Sequence, residues 1–275
     1  MTSPRRRRTA VGLTRFGPLI VVLVSLSAVA VDHQLRASAA PGGARPASGS
    51  ADAGSELFAV GCSGCHGLDG TGLRAADGSV LGPSLTASGE ASAYFYLSTG
   101  RMPLSNPTKQ PVRKDPVYTD AQIADLVAFV GSLGDGPPIP EVSAISGDLA
   151  EGGEIYRTQC AACHSATGAG GALSYGRAAP SLSKATPTQV AAAVRIGPDQ
   201  MPAFGDDAIS AEELNSLARY IEYLHNPDNR GGVDLGGLGP VPEGLLIWMV
   251  GIGGLIALCV WIAYKPRRHD ARATR

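Results

Sequence analysis

Apolar residues recur at helical spacing in two well-separated stretches of the chain. Ile123, Leu126, Val127 and Val130 share one helix face, and Leu214, Leu217, Ile221 and Leu224 repeat the arrangement. Each stretch opens with a capping box, Thr119–Gln122 and Ser210–Glu213, in which a hydroxyl and a carboxylate or amide satisfy the first free backbone N–H groups reciprocally. No stretch shows sustained strand alternation. The pattern predicts a mainly α chain in which two amphipathic helices each close a small unit.

The ends of the chain follow a different pattern. Gly244–Tyr264, "GLLIWMVGIGGLIALCVWIAY", is apolar on every side and holds no charge and no proline. At about 1.5 Å per residue it spans the roughly 30 Å hydrocarbon core of a bilayer. Trp248 stands near one end, Trp261 and Tyr264 near the other, and Lys265, Arg267 and Arg268 follow directly. The positive-inside rule puts this basic end in the cytoplasm and the preceding domains outside the membrane. At the N-terminus, Arg5–Arg8 and Arg15 precede the shorter apolar run Phe16–Val31, with small residues at Ala28-Val29-Ala30. This describes an export signal or a retained signal-anchor, and either reading again leaves the central region extracytoplasmic.

Composition narrows the picture. The formal net charge is −1, so nothing argues for a nucleic-acid partner. Aromatic residues make up 5% of the chain against 36 glycines and 20 prolines. Small, loop-rich units of this kind need something besides aromatic side chains to fill their cores.

The cysteines supply a candidate. Of the 5 present, Cys259 lies in the C-terminal apolar segment as a small filler. The other cysteines form "CSGCH" and "CAACH", each pair followed at once by His66 or His164. Bare C-x-x-C pairs on the exported side would close as disulfides, but a disulfide leaves the repeated histidine unexplained. Attachment of c-type haem explains it. Cys62 and Cys65, and likewise Cys160 and Cys163, lie along one helical turn, where two thiols add to the two vinyl groups of haem. His66 and His164 then face the iron as proximal ligands.

A haem that only carries electrons has a second axial ligand. With the motif residues, the termini and the apolar segments set aside, Met102, Met201 and His225 remain. Met102 in "GRMPL" and Met201 in "DQMPAF" stand at matching distances after the two motifs and both precede proline, which stiffens a loop presenting a weak thioether ligand. His225 has no counterpart in the first half and is read as structural. The match is part of an internal repeat. Gly54, Glu56, Leu57, Phe58 and Cys62 correspond at one constant offset to Gly152, Glu154, Ile155, Tyr156 and Cys160; Gly70 and Gly72 correspond to Gly168 and Gly170, and "PSL" recurs at Pro83–Leu85 and Pro180–Leu182. The expected organisation is an N-terminal segment at 1–35, a disordered linker at 36–53, a first domain at 54–134, a proline-rich semi-rigid spacer at 135–147, a second domain at 148–226, a juxtamembrane strap at 227–243, a membrane helix at 244–264 and a cytoplasmic tail at 265–275.

Each half resembles a class I cytochrome c. The order of "LFAVGCSGCHGLDGTG", "GPSL", "STGRMPL", "RKDP", "CAACHSATGAGGALSYGRAAPSL", "GPDQMPAFGD" and "GLGPVPEGLLIWMVGIG" resembles the dihaem cytochrome c subunit of the actinobacterial cytochrome bcc complex, a quinol:cytochrome c oxidoreductase. The resemblance covers roughly Gly54 to Tyr264. It implies two tandem class I cytochrome c domains with a C-terminal transmembrane helix, and two covalently bound haem c groups. It also implies that the carbonyls of Pro83 and Pro180 hold Nδ1–H of the proximal histidines. The implied partners are a cytochrome b subunit, a Rieske iron–sulfur subunit that reduces the first haem, and a haem–copper oxidase that takes the electron from the second.

Three other readings compete. A dihaem peroxidase needs a haem with an open sixth position, which methionine at both sites argues against. A structural Cys₄ zinc site would leave both histidines and both Met-Pro loops without a role. A dihaem electron-transfer subunit of a membrane-bound dehydrogenase fits the ligands equally well, and only the C-terminal resemblance and the haem count stand against it. The charged insert Ser105–Lys114, absent from the second half, reads as a solvated loop in which Lys109, Arg113 and Lys114 could dock a partner.

Overall fold

The computed structural model describes residues 48–228 and 240–264. The expected export signal or signal-anchor, the expected cytoplasmic tail and most of the expected N-terminal linker and juxtamembrane strap lie outside the described residues. The architecture is two repeats of one helical unit followed by a single long apolar helix.

In the first repeat α1 (Ala51–Gly61) runs into the short α2 (Ser63–His66), followed by α3 (Gly89–Ser98) and α4 (Asp120–Ser132). The second repeat has α5 (Leu149–Ile155), a wide five-residue turn at Tyr156–Cys160, α6 (Ala161–His164), α7 (Pro187–Ile196) and α8 (Ala211–His225). The first helix of each repeat crosses the last at a glycine. A Cβ on Gly54 would overlap the Asp125 carbonyl, and one on Gly152 the Ser216 carbonyl, so only glycine permits backbone-to-backbone contact there. The same crossing is fastened at the helix start. Ser50 N–H donates to Asp125 Oδ1 at 2.8 Å and Asp148 N–H to Ser216 Oγ at 2.9 Å.

The predicted closing helices form as α4 and α8, and both capping boxes are complete. Ile123, Leu126 and Val127 are buried around Phe58, with Val130 buried on the same helix, and Leu214, Leu217 and Ile221 around Tyr156. Each such side chain contributes roughly 1.5–3 kcal/mol by leaving water, so this apolar stripe more than the caps holds each unit closed.

Two features depart from the sequence expectation. Each repeat carries a small antiparallel hairpin after its cysteine–histidine turn: β1 (Leu73–Arg74) with β2 (Val80–Gly82), and β3 (Gly171–Ala172) with β4 (Ala178–Ala179). Strands this short and exposed offer no alternation to detect. The insert is also not a free solvated loop. Gln110 donates to the Ala178 carbonyl at 2.9 Å and accepts from Ala178 N–H at 3.0 Å, and Arg113 Nη2 donates to Gln189 Oε1 at 2.7 Å. Its polar residues clasp the second repeat, where their hydrogen-bonding groups find partners that a solvated loop would take from water.

The repeats meet helix to helix. Ala91 and Phe95 of α3 pack with Ala192 of α7 in a small buried cluster flanked by Tyr94, Tyr96, Ala193 and Ile196. The alanines allow close approach, and Gln189 Nε2 donates across the seam to Ser98 Oγ at 3.2 Å. The proline-rich spacer is held at both ends. The Pro137 carbonyl accepts from Ala91 N–H at 3.0 Å, Ile139 enters the first core, and Ser143 N–H donates to Asn215 Oδ1 at 2.8 Å. The last helix, α9 (Pro240–Ala263), has a mean hydropathy of 2.5 over Gly244–Ala263, with none of that apolar window buried in the protein. Its apolar surface faces outward all round, as a lipid-facing helix requires.

Candidate functional site: two cysteine–histidine cradles

In the first repeat the chain leaves α1 directly into a cysteine whose carbonyl organises the next turn, whereas in the second the wide turn Tyr156–Cys160 separates α5 from α6. Cys65 N–H and His66 N–H both donate to the Cys62 carbonyl, at 3.1 and 3.0 Å. Cys62, Cys65 and His66 are thereby gathered on one turn, and Cys160, Cys163 and His164 occupy the same place in the second repeat. None of these cysteines is paired in a disulfide. Among the described residues no group of three or more His, Cys, Asp or Glu side chains converges on one point, so the two pairs do not share a zinc-type site.

The histidines are oriented alike. His66 Nδ1 lies 2.8 Å from the Pro83 carbonyl, and His164 Nδ1 lies 3.0 Å from the Pro180 carbonyl. A carbonyl can only accept, so Nδ1 carries the proton and Nε2 keeps its lone pair. Glycines hold each proline in place. Gly72 and Gly170 have φ of 88° and 87°, and a Cβ would sit 2.8 Å from the Pro83 carbonyl carbon and 2.9 Å from that of Pro180. The proline loop is further tied by Leu85 N–H to the Gly70 carbonyl and Leu182 N–H to the Gly168 carbonyl, at 2.7 and 2.8 Å. His225 accordingly has a structural partner: its Nε2 lies 2.8 Å from the Leu182 carbonyl.

The local electrostatics suit neutral ligands. Burial lowers the His164 pKa, which keeps its imidazole uncharged, although the bond to Pro180 opposes the shift. Burial also pushes the Cys160 thiol up to about 11. Cys62 is raised in the same way, partly offset by the Tyr118 hydroxyl. Redox-active C-x-x-C pairs have lowered thiol pKa values; these shifts run the other way.

Both methionines sit in turns that pack against their own unit. Met102 lies against the first core, its N–H donating to the Tyr96 carbonyl at 3.1 Å. Met201 lies against the second core in a loop that begins at Gly197, left-handed at φ 59°. A residue not singled out from sequence organises that loop. Arg195 Nη1 donates to the carbonyls of Phe204, Gly205 and Ile209 at 2.9, 3.0 and 2.7 Å, and Nη2 lies 2.6 Å from Asp206. The basic residue in the last turn of α7 was the available signal, but its targets are backbone atoms that leave no trace in sequence.

In the second repeat the cradle opens on a cavity of about 280 Å³. Cys160, Cys163, His164 and Met201 line it with Leu173, Val190, Val194, Phe204, Leu217 and Ile221, and the first repeat contributes Phe95, Tyr96, Arg101, Val112 and Arg113. An apolar-walled space with a free imidazole lone pair, a thioether loop and two thiols fits a large apolar macrocycle that is joined covalently and ligated axially.

Comparison with known proteins agrees with this geometry. The cytochrome c family model matches residues 51–134, and the model of cbb3-type cytochrome c oxidase subunit III matches residues 147–221. The chain is 38% identical over 220 residues to the cytochrome bc1 complex cytochrome c subunit of Mycobacterium leprae, covering 77% of this chain and 74% of that one. It is 39% identical to the subunit of the same name from Mycobacterium tuberculosis (strain ATCC 25618 / H37Rv), covering 77% of each. The namesake from Corynebacterium efficiens is 38% identical over 229 residues, covering 77% of this chain and 76% of that one.

Proposed function

Because the chain belongs to the family of cytochrome c subunits of the cytochrome bc1 complex, we propose that it carries one haem c in each of its two cytochrome c domains and relays electrons from a Rieske iron–sulfur centre to a haem–copper oxidase. The bound haem supplies a one-electron centre at each cradle. Cys62 and Cys65, and Cys160 and Cys163, anchor the two groups as thioethers. His66 and His164 would hold the iron through Nε2, and Met102 and Met201 would supply the thioether sulfurs. Pro83 and Pro180 would fix both imidazoles through Nδ1, which sets the ring orientation and leaves Nε2 for the group.

The observation that carries this reading is the doubled arrangement of histidine, proline carbonyl and left-handed glycine. It protonates Nδ1 and leaves Nε2 available in both domains. A haem held by both histidine and methionine would have no ligand position left open, which would suit electron transfer over oxygen or peroxide chemistry, and such ligation would raise its potential, as a quinol-side relay requires. The apolar α9 anchors both domains at the membrane, the domains lie outside and the C-terminus is cytoplasmic. The proposed route is cytochrome b subunit, Rieske subunit, first domain, second domain, oxidase, with menaquinol as the electron source.

Haem stoichiometry and ligation test the reading. The alkaline pyridine spectrum of the denatured full chain is expected to give two haem c per polypeptide. Met201→Ala is expected to lose the sulfur-to-iron charge-transfer band of one haem and leave that of the other. One haem per chain, or a Met201→Ala band intensity equal to wild type, would overturn it.

A further inference from the structure

The first domain places a charged side chain in the wall of the second domain's cavity. Arg101 is 7% exposed, and its Nη1 is buried with no hydrogen-bond partner. The guanidinium lies 4.8 Å from the centroid of the Phe95 ring, and the side chain lines the cavity that holds Cys160, His164 and Met201. A second guanidinium stands beside it. Arg113, half-buried on the same wall, repels Arg101, and its Nη2 is occupied by Gln189. The carboxylate on that wall is Asp199, and it faces Arg177 at 3.5 Å. Tyr96, on the same wall, lies against the backbone of Asp199.

Two adjacent guanidiniums turned toward an apolar cavity, one with an unpartnered buried donor, call for an anion. The group that fits this cavity, a haem, has an apolar ring and two carboxylate arms. We propose that Arg101 Nη1 donates to a carboxylate of the haem held in the second domain, so that a residue of the first domain helps set the second haem's potential. The inference rests on the two-haem reading above. The device is one-sided. In the repeat the counterpart of Arg101 is Gln200, which carries no charge. A guanidinium that neutralises a haem carboxylate removes a negative charge that would favour the oxidised iron, so its loss lowers the potential. Arg101 is here a positioning residue. It bonds the periphery of the group and not the iron.

The test is a spectroelectrochemical titration of the detergent-solubilised full chain, after the pyridine spectrum has counted its haems. Met201→His moves the second haem's wave and so labels it. Arg101→Gln is expected to lower the reduced-to-oxidised ratio of that haem about tenfold at fixed ambient potential, a downward shift of about 59 mV for a one-electron couple, with both haems retained. Arg101→Lys, which keeps the charge, is expected to recover most of the shift; a purely packing role would make the two variants fall alike. If Arg101→Gln sheds one haem while Arg101→Lys keeps both, the proposal is also upheld. An unmoved second wave with both haems bound, or a shift confined to the first wave, would overturn it without touching the two-haem reading. A wild-type count of one haem would overturn that reading and this inference together.

Discussion

The two cytochrome domains are built on one skeleton and differ in what the first extends across the seam and in the turns around the second cradle. The glycine crossings at Gly54 and Gly152, the capped closing helices and the histidine–proline contacts recur in both domains. The differences lie elsewhere. The first domain carries the insert whose Gln110 and Arg113 clasp the second, and Arg101 where the second has Gln200. The second domain carries the wide turn before Cys160, a fully buried Tyr156 whose hydroxyl donates to the Ser165 carbonyl at 2.7 Å, and the Arg195 strap over its methionine loop. The shared parts are what a covalently attached, axially ligated group needs. The unshared parts make the pair asymmetric, with the insert of the first domain reaching across to the second.

That comparison can be broken domain by domain. The largest effect is expected from replacing Cys160 and Cys163 together by alanine. The second domain loses its covalent haem and the first keeps its own, so the pyridine spectrum falls from two haems per chain to one. The mirror change at Cys62 and Cys65 gives the same count if the cradles load independently. Next come Gly54→Val and Gly152→Val. Each side chain meets a backbone carbonyl of the crossing helix, and both are expected to cost about 3 kcal/mol, at the upper end of overpacking effects. Matching losses in denaturant unfolding would show that the crossings are equivalent, and a loss in one domain alone would show that they are not.

A similar loss, about 3 kcal/mol, is expected for Leu217→Ala, which empties a fully buried site in the second core and enlarges its cavity. Gln110→Ala sharpens the contrast from the other side. It removes two hydrogen bonds across the domain seam and is expected to cost about 2 kcal/mol, seen as faster amide exchange at Ala178 with haem content unchanged. The smallest effects are those of the caps. Thr119→Ala and Ser210→Ala should each cost about 1 kcal/mol, nearly equal, and visible as a small lowering of Tm.

How much of this was legible in sequence depends on the range of the interaction. The cysteine–histidine turns, the Met-Pro loops and the stripes Ile123–Val130 and Leu214–Leu224 are local patterns whose chemistry or period is written in consecutive residues. So were the capping boxes. The apolar run at Gly244–Tyr264 could be read from composition alone. The hairpins could not, because strands as short as Leu73–Arg74 have no period to show. Nor could the clasp: Gln110 and Ala178 are far apart in the chain, and a lone glutamine in a charged loop looks like any solvated residue. Arg195 was missed for a related reason, since its hydrogen-bond partners are carbonyls that every residue type possesses. Arg101 stood beside a candidate ligand in "GRMPL", but only folding brings it against the other domain.

The measurement that bears most directly on the account is a dithionite-reduced minus oxidised spectrum of the full chain, purified in detergent from its own membranes through a C-terminal tag. The account predicts c-type bands equivalent to two haems per chain, arriving together with the b-type bands of a quinol-oxidising partner and the a-type bands of an oxidase. A c-type band alone, or one accompanied by a dehydrogenase, would contradict the proposed relay, and no c-type band at all would contradict the reading of both cradles.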